Sequence, residues 1–119
     1  GGTAGVTLAC KAAKQGDSYT VNFLGKAGFV FVEDVADLVE MSIVQMPSGA
    51  LTFNINGITA DVSDFINLFK KNIPQSDIAI KGNSLSVVDE IRGNAPSKTF
   101  KKFKYTSLED GIKRTIDFY

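Results

Sequence analysis

The stretch Phe29-Val30-Phe31-Val32-Glu33-Asp34-Val35-Ala36-Asp37-Leu38-Val39 decides the fold class. Its first four residues are consecutive, apolar and β-branched or aromatic, a run that fits a strand covered on both faces. Its second half changes period. Val35, Leu38, Val39, Ile43 and Met46 form one stripe at helical spacing. Asp34 stands where a helix cap is expected, and Asp37 adds negative charge in the first turn. A strand feeding directly into a helix makes this a chain of mixed secondary structure.

The segments on either side extend that alternation. Upstream, Thr3 to Gln15 reads as a helix, with Val6, Ala9, Cys10 and Ala13 on one face and Gly16 as its stop. Tyr19, Val21 and Phe23 alternate with Thr20 and Asn22, the pattern of a half-buried strand. Gly25-Lys26-Ala27-Gly28 reads as a mobile turn. Downstream, Pro47-Ser48-Gly49 ends the second helix, and Leu51, Phe53 and Ile55 alternate as a further strand until Asn56-Gly57 breaks it. Asp61 is placed to cap a third helix through Val62, Phe65, Ile66, Phe69 and Ile73, closed by Pro74. Asp77 to Lys81 reads as a short strand, and Gly82 to Tyr105 as mostly loop. Ser107 with Asp110 resembles a capping box ahead of a last helix lined by Leu108, Ile112, Ile116 and Tyr119. The expected architecture is α+β: a small mixed sheet with about four helices.

With 119 residues the chain suits one domain. Thirteen basic residues balance thirteen acidic ones, which argues against a dedicated nucleic-acid binder. The single cysteine, Cys10, forbids an internal disulfide and fits a reducing, cytoplasmic setting. No apolar run approaches the roughly 18 residues of a membrane span. No signal-peptide pattern occurs. The chain opens Gly-Gly-Thr without Met, so its natural start is expected elsewhere, unless the two glycines are an expression scar.

Several chemistries are excluded by residue type. There is no histidine, so Ser-His-Asp and Cys-His nucleophiles and His-based metal sites are ruled out. One cysteine cannot build a structural zinc site. Gly25-Lys26-Ala27-Gly28 lacks the glycine spacing of a phosphate loop, and no Tyr-x-x-x-Lys pair occurs. The acidic groups Glu33, Asp34 and Asp37, then Asp61 and Asp64, read as caps and solvated charge rather than as sites. Cys10, on an apolar helix face, reads as a core thiol in preference to a reactive one. Lys98, Lys101, Lys102 and Lys104 interleave with Phe100, Phe103 and Tyr105. Single-strand nucleic-acid binding by stacking is one reading. The preferred one is a turn whose aromatics pack inward while the lysines stay wet. Arg92, in the irregular stretch, has a guanidinium fork suited to a diphosphate, against the plainer reading of a surface arginine.

Three segments together resemble a known family. Phe29-Val-Phe-Val-Glu-Asp-Val-Ala-Asp-Leu-Val39 resembles the "F-V-Y-V-D-D-V-A" signature of extended short-chain dehydrogenases, the nucleotide-sugar epimerase and dehydratase family. Leu51-Thr-Phe-Asn-Ile-Asn56, followed by Val62-Ser-Asp-Phe, resembles its "Y-N-I-G … S-V-x-E-L" segment. Ser107-Leu-Glu-Asp-Gly-Ile-Lys-Arg-Thr-Ile-Asp-Phe-Tyr119 resembles its closing "S-L-E-E-G-I-x-x-T-I-x-W-Y" helix. Gly2-Thr3-Ala4-Gly5 is similar to the residues that come after that family's "Y-G-P-G-R".

The resemblance implies that the chain corresponds to the C-terminal, substrate-binding third of such an enzyme. An N-terminal Rossmann domain would then hold NAD(P) and supply the Tyr-x-x-x-Lys pair, so residues 1–119 would contain no catalytic or cofactor-binding residue. Tyr19, Val21 and Phe23 would lie on the strand beside the nucleotide base, and Arg92 in Ile-Arg-Gly-Asn would resemble the arginine that contacts the diphosphate. The surface facing the absent domain would be an exposed apolar patch, open to self-association. The pattern departs at Ala27 and Gly28, where the family often carries Arg-Asp, and at Asn94, where Asp is usual. A reductase, or an amino-acid or small-alcohol dehydrogenase of the same superfamily, stays open as the parent. A non-catalytic nucleotide- or protein-binding module is the alternative.

Overall fold

A computed structural model describes residues 4–84 and 95–119. The fold is α+β. Its elements run α1 (Gly5–Gln15), β1 (Tyr19–Leu24), β2 (Lys26–Phe29), α2 (Val32–Gln45), β3 (Ile58–Asp61), α3 (Val62–Asn72), β4 (Ile78–Ser84), the single turn α4 (Pro96–Thr99) and α5 (Leu108–Phe118). The strands form two separate pairs. β1 and β4 are parallel, with Tyr19 opposite Ile78 and Val21 opposite Ile80. β2 and β3 are antiparallel, with Lys26 opposite Asp61 and Phe29 opposite Ile58.

The helix ends arise from local chemistry. Gly16 takes the left-handed conformation at the end of α1, and its N–H reaches the carbonyls of Ala12 and Ala13. The Asp61 carboxylate accepts the Ser63 N–H at 2.8 Å and caps α3, as its position in the sequence suggests. The same bond holds the Asp61 carboxyl below its ordinary range. Ser107 Oγ accepts the Asp110 N–H at 3.1 Å and donates to the Asp110 carboxylate at 2.7 Å, closing the start of α5.

Packing builds two cores. The larger joins α1, β1, α3 and α5 through Ala9, Cys10, Val21, Phe65, Phe69, Ile112 and Ile116. The buried face of α1 is Gly5, Ala9, Cys10, Ala12 and Ala13, all small, so the helix lies close against β1. A Cβ on Gly5 would sit 3.7 Å from both Val21 and Phe23. The smaller core gathers Leu38, Phe100 and Phe103, with Met41, Phe53, Ile55 and Tyr105 packed on it.

Five expectations from sequence are corrected. Residues 25–28 are not a free turn: Lys26 to Phe29 form β2, and only Phe29 of the apolar run 29–32 belongs to it. The partner β3 is four residues long, so the ladder ends where β3 does, and Val32 already begins α2. Asp34 is not the cap of α2. That position is Phe31, and Asp34 is buried within the first turn. The alternating segment 51–56 forms no strand. Phe53 and Ile55 instead pack on the smaller core, and β3 begins after Gly57. Finally, the stripe predicted for α2 divides. Leu38 is buried, whereas Val39, Ile43 and Met46 are exposed.

The β2–β3 approach depends on Gly57. Its φ is +66°, and a Cβ there would stand 2.1 Å from the Phe29 carbonyl oxygen. No side chain fits that space, and the left-handed backbone disfavours one in any case. Gly57→Ala is expected to lower stability by at least about 2 kcal/mol, read from the urea midpoint. A midpoint unchanged from wild type would show that the two strands do not meet there.

Candidate functional site

A half-open cavity of about 290 Å³ lies where α1, β1, β2 and α5 converge. Its walls come from segments far apart in sequence. α1 contributes Val6, Thr7 and Cys10, and β1 contributes Phe23. β2 and the link to α2 supply Ala27, Gly28, Phe29, Val30 and Phe31. The lead-in and inner face of α5 supply Thr106, Ser107, Leu108, Gly111, Ile112 and Thr115, while Ile58 and Phe65 lie behind.

One buried carboxylate fixes the α5 side of this cavity. Asp34 is 3 % exposed. Its two oxygens accept the Thr106 N–H at 3.0 Å and the Thr106 hydroxyl at 2.6 Å. Two donors on one residue, held by one carboxylate, set both the position and the direction of the chain entering α5. Thr106 is a cavity wall, so Asp34 positions the site without lining it. On the outside, Arg114 of α5 pairs with Glu33 of α2 and lies 4.8 Å from the centre of the Phe31 ring. That stacking holds Phe31 at the rim.

The residues singled out from sequence divide three ways. Phe23 lines the cavity and is 3 % exposed. Val21 is fully buried beneath α1, and Tyr19 is half-buried on the same strand face, where a Cβ on Gly5 would meet its hydroxyl at 3.8 Å. Neither Tyr19 nor Val21 is a cavity wall. Arg92 lies outside the described residues. Ala27 and Gly28, where the family pattern departs, are both cavity walls. Lys26 stands opposite Asp61 across the β2–β3 ladder and attracts its carboxylate.

The basic-aromatic stretch adopts the inward-packing arrangement. Phe100 and Phe103 are 1 % and 5 % exposed, so neither offers a free ring face, while Lys98, Lys101, Lys102 and Lys104 face solvent. Sequence reasoning missed the Asp34–Thr106 clamp. The only trace of it was an acidic residue beside a helix start, which a cap explains equally well.

Among the described residues, no group of three or more His, Cys, Asp or Glu side chains is placed to hold a metal ion. Also among them, no helix is long and apolar enough to cross a membrane. No family model, curated protein or solved structure matches the chain.

Cys10 is a cavity wall with almost no exposed surface, and burial pushes its thiol up to about 12. At neutral pH it is protonated and a poor nucleophile. The unfolded thiol ionises at about 8.5, whereas the folded one keeps its proton. Stability from this group is therefore complete below the unfolded value and falls as pH rises from there towards 12. Native protein at pH 8 is expected to resist iodoacetamide, and urea-unfolded protein to react rapidly. Equal rates in the two states would refute the burial.

Proposed function

We propose that this chain is the substrate-binding part of an NAD(P)-dependent nucleotide-sugar epimerase or dehydratase. The observation that carries the reading is convergence. The first resembling segment brings Phe29, Val30 and Phe31 to the cavity, and the closing one brings Ser107, Leu108, Gly111 and Ile112. Ile58 and Phe65 flank and end the middle one. Asp34, within the first segment, holds Thr106, which immediately precedes the last. Segments linked only by likeness in sequence thus meet around one concavity, and binding sites are concave.

The residues present do not fit the cofactor itself. The chain has neither a glycine-rich dinucleotide loop nor a Tyr-x-x-x-Lys pair. In this reading a Rossmann domain holds NAD(P) and supplies the acid/base pair. This chain contributes binding walls and closure, and is inactive alone. A free thiol accords with a reducing, cytoplasmic setting.

The surface of α2 supports a second domain. Viewed down its axis the helix has three sides. Asp34 and Leu38 face the core, Glu33, Asp37 and Glu40 form a charged side, and Val32, Val39 and Ile43 form an apolar side exposed to solvent. At the end of that apolar side, Met46 is 79 % exposed. Exposed apolar stripes of this kind mark interaction surfaces. The partner domain would cover it, and the isolated chain would self-associate through it. The alternative of a non-catalytic nucleotide- or protein-binding module draws on the same stripe.

Two measurements test the reading. The isolated chain should bind no NAD(P)H by fluorescence and turn over no nucleotide-sugar, and the full gene product should do both. Cofactor binding by residues 1–119 alone would end the proposal. In sedimentation, the isolated chain should associate with rising concentration, and V39K/I43E should remain monomeric with an unchanged far-UV spectrum. A wild type that stays monomeric throughout would remove the interface.

A further inference from the structure

The cavity carries its own statement about ligand chemistry, independent of the hydride-transfer reading. Its walls include four phenylalanines, at 23, 29, 31 and 65, together with Val6, Leu108 and Ile112. Among the described residues, no charged side chain lines it. Three of its four hydroxyl donors are engaged elsewhere. Thr106 Oγ1 donates to Asp34 at 2.6 Å, Ser107 Oγ to Asp110 at 2.7 Å, and Thr115 Oγ1 to the Gly111 carbonyl at 2.7 Å. The Thr7 hydroxyl and the Cys10 thiol remain, and the thiol is a weak donor.

A carboxylate entering this space would give up part of its hydration and, among the described residues, meet no cationic side chain, which is unfavourable. A neutral ring meets the opposite conditions: apolar walls, aromatic edges and faces, and one hydroxyl at the rim. An apolar cavity of about 150 Å³ accommodates benzene. The cavity here, at about 290 Å³, has room for a bicyclic ring.

We infer that this cavity is a binding site for a small, uncharged aromatic molecule of one or two rings. The test is a titration of the isotopically labelled chain, monitored by amide shifts, with indole and with the anionic indole-2-carboxylate. Indole should shift Gly28, Phe31, Thr106 and Gly111 saturably, and the carboxylate should bind at least about tenfold more weakly. Thr7 is an exposed position of α1. Thr7→Phe should therefore fold normally, fill the mouth and weaken indole about tenfold.

Three results would each overturn the inference: no saturable shift at cavity amides with indole, carboxylate binding as tight as indole, or undiminished indole binding by Thr7→Phe. The wild-type titrations decide the ligand class even if the variant unfolds. None of these results depends on whether a partner domain holds NAD(P), so the two proposals fail separately.

Discussion

The two hydrogen bonds between Asp34 and Thr106 are the constraint on which the arrangement of the site depends. They join residues 72 apart in sequence. Beside them stand the packing of Phe31 against Gly111 and the exposed Arg114–Glu33 pair, and exposed ion pairs contribute little. A buried carboxylate such as Asp34, with no cation paired to it among the described residues, would normally be unfavourable. Here it is satisfied by donors of fixed position, one of them a backbone N–H, so it is strongly selective for one geometry. Removing either partner would leave the other desolvated, a loss of about 1–3 kcal/mol. The same contact that stabilises the fold therefore also sets where Thr106, Ser107 and Leu108 face the cavity.

Small residues supply the complementary constraint on the other wall. α1 approaches β1 closely because Gly5, Ala9, Ala12 and Ala13 present little side chain. That closeness buries Val21 completely and leaves Phe23 as the residue of β1 that reaches the cavity. The parallel partner β4 carries a register shift between Val21 and Phe23. This irregularity falls beside the strand position that lines the cavity, where bulges commonly re-aim side chains.

Local chemistry was legible in the sequence wherever one residue governs one backbone event. Gly16, Asp61 and Ser107 end or begin helices through bonds to their near neighbours, and each does so in the fold. The reading failed where the outcome depends on a distant partner. Leu51 to Asn56 alternates as a strand does, but a strand requires a neighbouring ladder, and packing of Phe53 and Ile55 on Phe100 and Phe103 wins instead. Residues 25–28 look like a glycine-rich turn until β3 is brought alongside residues 26–29. The cavity was only partly legible. Phe23 was singled out from a resemblance and Phe65 from a helical stripe, whereas Thr7 and Thr106 carry no local signal, because their role comes from where other elements meet.

Charge links the cavity to the proposed parent enzyme. A nucleotide-sugar carries a diphosphate, and among the described residues the cavity offers it no cationic side chain and, of its hydroxyls, only that of Thr7 outside the bonds to Asp34, Asp110 and Gly111. Ala27 and Gly28 occupy the positions where the family often has Arg-Asp, and both line this wall. Lys26, the nearest cation in sequence, already faces Asp61. If the parent does bind such a substrate, the inference drawn from the cavity lining places its charged centre outside the cavity and an uncharged ring within it. If the parent acts on a neutral substrate instead, the absence of arginine from this wall among the described residues needs no compensation elsewhere. The composition of this wall therefore bears on which substrates the proposed parent would admit: among the described residues it presents no charged side chain to offset the lost hydration of an anion.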